Sequence, residues 1–182
     1  MYELNKFIIC IDGRCGVGKS TIAKYIAKKM QAQIIGGAEF LSDLNPMRET
    51  IKKSVNDFEE KAKVWLVQVY KDIEKKILNM KGIIIIEMVG ISGSKIWQNA
   101  NIKIFIDSCD DKRISAMTKT KIKPHIITKE EAINLGKVFP DMMQSAKQSA
   151  DIVFHNNYDN TVFNDVDSFL SGNECNPICM PY

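Results

Sequence analysis

The chain has 182 residues, of which 45% are hydrophobic and 26% are charged, as in one ordinary globular domain. A chain of this length buries enough surface to fold without disulfides, which excludes disordered proteins and small stapled scaffolds. The net charge of +3 is too small to indicate nucleic-acid binding, although residues 151–182 carry five acids and no Lys or Arg, leaving +8 on the first 150 residues.

Membrane and secretion signals are weak in this sequence. No apolar run reaches the ~18 residues needed to cross a bilayer, and the run at residues 7–11 has no basic leader. The five cysteines form no paired framework, which favours reduced thiols in a cytosol-like compartment. We therefore expect a cytoplasmic protein without a membrane partner and without zinc, and the oligomeric state stays open, a homo-oligomer included.

Short apolar runs that alternate with helix-like sequence predict an α/β fold. Four runs of mostly β-branched residues have the composition of strands buried on both faces, and a fifth run is weaker. The strong runs cover residues 7–11, 83–86, 102–106 and 151–154, and the weaker one covers 33–35.

Helix signals lie between these runs. Apolar residues every three or four positions predict a helix over 56–80, with Asn56 and Glu59 as its capped start and Gly82 turning the chain into the next strand. Two further pairs predict helix starts, and no repeat or linker divides the chain. The pairs are Thr128 with Glu131 and Ser108 with Asp111. We predict one domain over residues 1–171 and a loose tail over 172–182.

Residues 13–20 read GRCGVGKS and match the phosphate-binding pattern G-x-x-x-x-G-K-[ST] in full. A strand precedes the loop and a helix follows it, so its amides and the helix N-terminus would face a polyphosphate. Lys19 would supply charge to the β- and γ-phosphates, and Ser20 a hydroxyl for Mg²⁺. A plain strand-to-helix turn is the structural alternative. The expected ATP-binding residues are Gly13, Arg14, Cys15, Gly16, Val17, Gly18, Lys19, Ser20 and Thr21.

The segment IDGRCGVGKSTIAKYIAKKM resembles the opening of uridine kinase and related small P-loop nucleoside and nucleotide kinases. The layout beyond it is similar, with IIGGAEF, IIIIEMVG and ADIVFHN at the later strand ends. The absence of an N-K-x-D tetrad disfavours a small GTPase. The resemblance implies a three-layer α/β/α fold with a five-stranded parallel sheet, and γ-phosphoryl transfer from ATP, with Mg²⁺, to a small acceptor, a nucleoside above all.

Two alternatives stay open beside a nucleoside kinase. One is a kinase for another acceptor, such as a nucleotide, dephospho-coenzyme A, a sugar or a hydroxy-acid. The other is an NTP-binding regulatory protein with weak or no catalysis.

Acids after two of the strands are the candidates on the acceptor side. Glu39 would position or deprotonate the acceptor hydroxyl, although a solvated loop carboxylate explains it equally well. Glu87 directly follows four isoleucines, which favours a role in holding Mg²⁺ with Ser20 or in orienting the acceptor. Arg48 lies where acceptor phosphates or carboxylates would be gripped.

The resemblance also implies a lid that closes over the phosphates, and the basic segment at about 112–129 is its counterpart. Arg113 is the one arginine in this segment and the candidate for offsetting transition-state charge. The remaining basic residues are lysines, which cannot reproduce the bidentate guanidinium contact. A solvated basic helix end is the alternative.

Overall fold

A computed structural model of the protein describes residues 6–40, 45–119 and 127–172, with the backbone alone for 45–48. All strand pairings in it are parallel, and the five strands lie in the order β2-β3-β1-β4-β5. The strands are β1 (Lys6–Asp12), β2 (Gln33–Gly36), β3 (Gly82–Glu87), β4 (Ile102–Asp107) and β5 (Ile152–His155).

Helices connect the strands and cover both faces of the sheet. They are α1 (Lys19–Met30), α2 (Asn45–Lys53), α3 (Val55–Leu78), α4 (Lys95–Gln98), α5 (Asp110–Lys119), α6 (Lys129–Gly136), α7 (Pro140–Ser149) and α8 (Thr161–Gly172). Two 3₁₀ turns follow β2 and β3, at Gly37–Phe40 and Ile91–Gly93. In the described ranges, no helix is long and apolar enough to span a membrane.

The alternation of side chains along the strands divides the core in two. Ile9 and Ile11 of β1 pack on the face covered by α1 and α8, whereas Cys10 between them packs on the face covered by α3. All three side chains are buried. The predicted three-layer α/β/α fold with a five-stranded parallel sheet is therefore confirmed.

The sheet register brings the polar strand ends to one edge. Ile11 of β1 pairs with Glu87 of β3, and Gly36 of β2 pairs with Glu87 from the other side. Asp12 comes one residue later, at the end of β1. Ligands bind at this carboxyl edge in open α/β sheets, so the site is expected here.

The bounds of the long helix differ from the prediction. Helix α3 begins at Val55, and the Ser54 hydroxyl caps it by accepting from the Asp57 amide. The Glu59 carboxylate, which was expected in that cap, instead accepts a hydrogen bond from the Phe139 amide at 2.7 Å. The helix ends at Leu78, and Gly82, at φ +79°, is already the first residue of β3.

Of the other two predicted helix starts, the one at Thr128 is found with its full cap, and the one at Ser108 is found without the predicted pairing to Asp111. The Thr128–Glu131 capping box opens α6 with both of its hydrogen bonds formed, so this prediction is confirmed. Helix α5 opens at Asp110, and the Ser108 hydroxyl contacts the Cys109 carbonyl oxygen at 3.4 Å. The predicted tail falls outside the described residues from 173 onward.

Candidate functional site

The loop between β1 and α1 contains three glycines with positive φ, and a Cβ added at any of the three would collide with a neighbouring residue. Gly13 has φ +146°, and a Cβ there would collide with the Ile106 carbonyl oxygen of β4. Gly18, at φ +94°, caps α1, and a Cβ there would collide with the Asn156 side-chain amide. The glycines of the motif thus allow both the turn and its close packing.

The carbonyl oxygens of the loop are bound from outside the loop. Asn156 Nδ2 donates to the Val17 oxygen at 2.9 Å, and the Tyr158 hydroxyl donates to the Gly16 oxygen. Both donors lie in the segment after β5. Because these oxygens are held outward, the loop is fixed with its amides available on the other side.

The amides that a phosphate would use are free. Within the described parts of the chain, no hydrogen-bond acceptor is found for the backbone N–H groups of Gly16, Gly18, Lys19 and Ser20. Three of these groups lie at the N-terminus of α1, where the helix dipole favours an anion. The loop therefore presents N–H groups at a helix N-terminus in an arrangement that suits an anion.

Lys19 occupies the centre of the loop. Its ammonium donates to the Gly13 oxygen at 2.8 Å and to the Arg14 oxygen at 3.0 Å, and the side chain is buried. Burial lowers the pKa of Lys19, and the nearby carboxylates of Asp12 and Glu87 partly oppose this effect. Bound phosphate oxygens would supply the negative charge that this buried cation lacks.

Asp12 was not assigned a role from the sequence, yet it ties the loop to the rest of the site. It is fully buried, and its carboxylate accepts from the amides of Gly13 at 2.7 Å, Gly90 at 2.9 Å and Ser92 at 2.9 Å. Burial raises its pKa, and these hydrogen bonds counteract the rise. The Asp-Gly pair before the loop was the sequence signal for this role.

The predicted acids lie together beside the loop. The Ser20 hydroxyl donates to Glu87 Oε1 at 2.9 Å, and burial raises the pKa of Glu87. A Cβ placed on Gly36 would lie 3.1 Å from Glu87 Oε1 and 3.8 Å from Glu39 Oε1, so both carboxylates face this glycine. The structure therefore brings Ser20, Glu39 and Glu87 to one place.

Glu39 has a basic partner that the sequence did not reveal. Its Oε1 accepts from the Gly36 amide at 2.9 Å, and its Oε2 pairs with Lys76 Nζ of α3 at 2.5 Å. The amide and the ammonium hold the pKa of Glu39 below its ordinary value. Glu39 is therefore a stable carboxylate at neutral pH, suited to accept a hydrogen bond from a hydroxyl and weak as a base.

Arg14 is engaged by protein groups, and the prediction for Arg48 is not tested by the structure. Arg14 binds Asp110 Oδ1 and the Ser108 carbonyl oxygen, both at 2.9 Å, so its guanidinium is engaged by protein groups. Arg48 lies in α2, but its side chain is outside what the structure describes. Residues 120–126 of the expected lid are likewise outside the described ranges.

Arg113 corrects the expectation of a lid arginine. It lies in the first turn of α5 and is 1% exposed. Its guanidinium donates to the carbonyl oxygens of Cys15 at 3.2 Å and Ala132 at 3.0 Å, and to Asp110 at 3.1 Å. Because its donors are used beneath the loop, Arg113 braces the loop against α5 and α6.

This bracing predicts the effect of an alanine at Gly136. A Cβ there would lie 2.8 Å from Arg113 Cζ and would also collide with one guanidinium nitrogen. We expect Gly136→Ala to lower the free energy of unfolding by about 1–3 kcal/mol through overpacking. Thermal denaturation measures this effect, with Gly172→Ala as the control, since nothing lies within 4 Å of a Cβ at that glycine. Equal melting temperatures for the two variants would contradict the proposed packing.

A parallel sheet in the order β2-β3-β1-β4-β5, with a complete G-x-x-x-x-G-K-S loop between β1 and α1, defines the fold of the small P-loop kinases. Solved structures with this fold align over nearly the whole chain. Shikimate kinase from Acinetobacter baumannii, in complex with shikimate, has a TM-score of 0.60 at 13% identity, covering 94% of this chain and 97% of its own.

Two further structures align to a similar extent. Deoxyadenosine kinase from M. mycoides, with bound dATP, has a TM-score of 0.58 at 16% identity and covers 91% of this chain and 98% of its own. A Thermus thermophilus protein has a TM-score of 0.66 at 11% identity, with 92% and 98% coverage. At these identities the likeness lies in the fold. No family model matches the sequence, and no curated protein matches it either.

Proposed function

We propose that the protein is an ATP-dependent phosphotransferase that moves the γ-phosphoryl group to a small hydroxylated acceptor, with a nucleoside as the first candidate. The observation that carries this proposal is the phosphate loop, where four amides have no acceptor among the described residues and the buried Lys19 ammonium contacts two carbonyl oxygens. The fold likeness to kinases of shikimate and deoxyadenosine supports a small acceptor.

Different residues of the chain have different roles in phosphoryl transfer. The loop amides and Lys19 bind the β- and γ-phosphates and neutralise the charge that develops on them. Glu39, held by Lys76, accepts a hydrogen bond from the acceptor hydroxyl and aligns it with the γ-phosphoryl group. Asp12 accepts a hydrogen bond from the Gly13 amide and Arg113 donates one to the Cys15 carbonyl oxygen, and both contacts hold the loop in its conformation.

Magnesium is the metal that this fold implies, and the donors beside the loop fit it. Ser20 and Glu87 offer oxygen ligands 2.9 Å apart, the ligand type that Mg²⁺ prefers. The described residues contain no group of three His, Cys, Asp or Glu side chains that could bind a metal, so phosphate oxygens and water would complete the coordination. When bound, the ion would neutralise charge on the phosphates.

Glu87→Gln tests whether the negative charge of Glu87, and not only its size, is needed for activity. The amide keeps the size of the side chain and can still accept from Ser20, but it removes the negative charge that a cation needs. Turnover should fall about tenfold or more, and half-maximal activity should require more Mg²⁺. A magnesium titration of the steady-state rate measures both effects, with the exposed Glu60→Gln as control. An unchanged Mg²⁺ dependence would argue against Glu87 as a ligand.

An NTP-binding regulatory protein is the second candidate, favoured by the arginines. Among the described side chains, both arginines near the loop bind protein groups, which leaves transition-state charge to Lys19. A panel of acceptors distinguishes the candidates: nucleosides, nucleotides, dephospho-coenzyme A, sugars and hydroxy-acids, each with MgATP. Acceptor-dependent ADP release identifies a kinase and its substrate class. Stoichiometric ATP binding without ADP release for any acceptor would support the regulatory protein.

A further inference from the structure

A groove of about 610 Å³ lies on the sheet face covered by α4 and α7, and one end of it, at Ser92, adjoins the Asp12 carboxylate that also binds the loop. It runs from the 3₁₀ turn after β3 down to the N-terminal half of β4. Its lining residues are Ser92, Gly93, Trp97, Gln98, Lys103, Asp141, Met142, Ser145, Ala146 and Ser149.

The groove has a charged residue where the layer structure calls for an apolar one. In β4, Ile102, Ile104 and Ile106 are all buried in the cluster on the α1 side, and Phe105 packs with α7 on the opposite face. Lys103 alternates onto that opposite face and pairs in register with the buried Cys10 of β1. A lysine in an inner strand is costly unless its ammonium meets water or a counter-charge.

The acids around Lys103 do not neutralise it. Within the described ranges its ammonium has no ion pair, because Asp151 accepts from the Lys103 backbone amide at 2.7 Å and Asp107 pairs with Lys147 at 2.7 Å. Asp141, the one acid in the lining, lies on α7 beyond ion-pair distance of any described cation. The positive charge of Lys103 is therefore available to a ligand.

The rest of the groove combines an apolar floor with hydroxyl groups. Trp97 is 3% exposed and Ala146 is fully buried, so they form the base beneath the groove, and the partly buried Met142 is the apolar side chain that a ligand would meet. Trp97 Nε1 donates to the Ser149 hydroxyl at 3.2 Å, which fixes the indole ring, and Ser145 adds a second hydroxyl at the rim. An ammonium beside an apolar side chain and two hydroxyl groups is complementary to a small anion with an apolar body.

We propose that this groove is a second ligand site, which takes a small organic anion. The carboxylate or phosphoryl group of the ligand contacts Lys103, and its apolar body lies against Met142, next to Trp97. Lys103 pairs with Cys10, two residues before the end of β1, whereas Ser92 at the other end of the groove donates its amide to Asp12. The second site does not depend on the function proposed above.

Binding can be followed through Trp97 in a Trp65→Phe background, because the chain has two tryptophans. The probes are benzoate and phenyl phosphate, which differ only in the anionic group, with inorganic phosphate as the probe without an apolar body. We expect saturable quenching by at least one aromatic probe. Lys103→Met should weaken this binding about tenfold or more, as for the loss of a charge-assisted contact. Asp141→Asn, which removes a like charge, should strengthen it.

Two control variants make the result specific. Lys95→Met removes an exposed lysine of α4 that does not line the groove and should leave the affinity unchanged. Lys19→Ala disables the phosphate loop and should also leave it unchanged. Quenching that is not saturable, that is equal in Lys103→Met and Lys95→Met, or that is lost in Lys19→Ala would overturn the proposal. If Lys103→Met unfolds, Lys103→Gln with a melting-temperature check replaces it.

Discussion

Lys19→Ala is expected to abolish phosphoryl transfer while leaving the fold intact. Arg14, the other cation of the loop, binds Asp110 and the Ser108 carbonyl oxygen, and no described residue is placed to replace the Lys19 ammonium. Turnover with ATP should fall about a hundredfold or more, the scale of losing a preorganised electrostatic contact. The thermal stabilisation that MgATP gives to the unsubstituted protein should disappear as well.

The stability of this variant is part of the prediction. Burial lowers the pKa of Lys19, so the folded state disfavours its charged form, and near neutral pH its removal should leave the melting temperature of the ligand-free protein unchanged or raised. Steady-state kinetics and thermal shift with and without MgATP provide the measurements. The matched control is Lys28→Ala, an exposed lysine in the last turn of α1. Normal turnover in Lys19→Ala would mean that this loop does not hold the triphosphate.

Asp12→Asn is expected to cost more stability than any other isosteric change in the site. The carboxylate has two oxygens for three backbone donors, and the amide replaces one oxygen with a group that is itself a donor. At least one buried N–H then loses its acceptor and faces another N–H. We expect a loss of about 2–4 kcal/mol in the free energy of unfolding.

For a chain of this length, that loss corresponds to a fall of roughly 5–15 °C in melting temperature. Because Asp12 holds Gly13 and the turn after β3 together, ATP affinity should weaken in the same variant. Denaturant unfolding and nucleotide titration measure the two effects. Asp111→Asn, an exposed acid of α5, is the matched control. A melting temperature equal to that of this control would show that the three hydrogen bonds are not important to the fold.

Glu87 and Glu39 differ in how much of their position in the site could be predicted from the sequence. Glu87 follows a run of four isoleucines, and a carboxylate at the end of a buried strand is costly without a partner, so its position beside Ser20 and the loop was predictable. Glu39 carried no comparable signal, because it lies in the short turn Gly37–Phe40 after the weakest of the predicted strands. Its lowered pKa comes from the Gly36 amide and from Lys76, which is 37 residues away in the chain.

Arg113 illustrates the opposite case. A basic segment after a strand is typical of both a mobile lid and a packed helix, and the residue type alone does not distinguish them. Its burial follows from the arrival of α6 and of the loop at the same point, where Gly136 and the Cys15 carbonyl oxygen surround the guanidinium. Neither contact has a local sequence signature.

The sequence alone determined the strands, the phosphate loop and the capping box at Thr128, because each depends on spacing and backbone conformation within a few residues. Tertiary structure decided where the side chains bind: Asp12 accepts from three amides, Arg113 braces the loop, and Lys103 lines a groove without an ion pair to any described residue. These roles depend on partners that are far apart in the chain. The strength of each contact depends on its burial, which exists only once the helices have packed on the sheet.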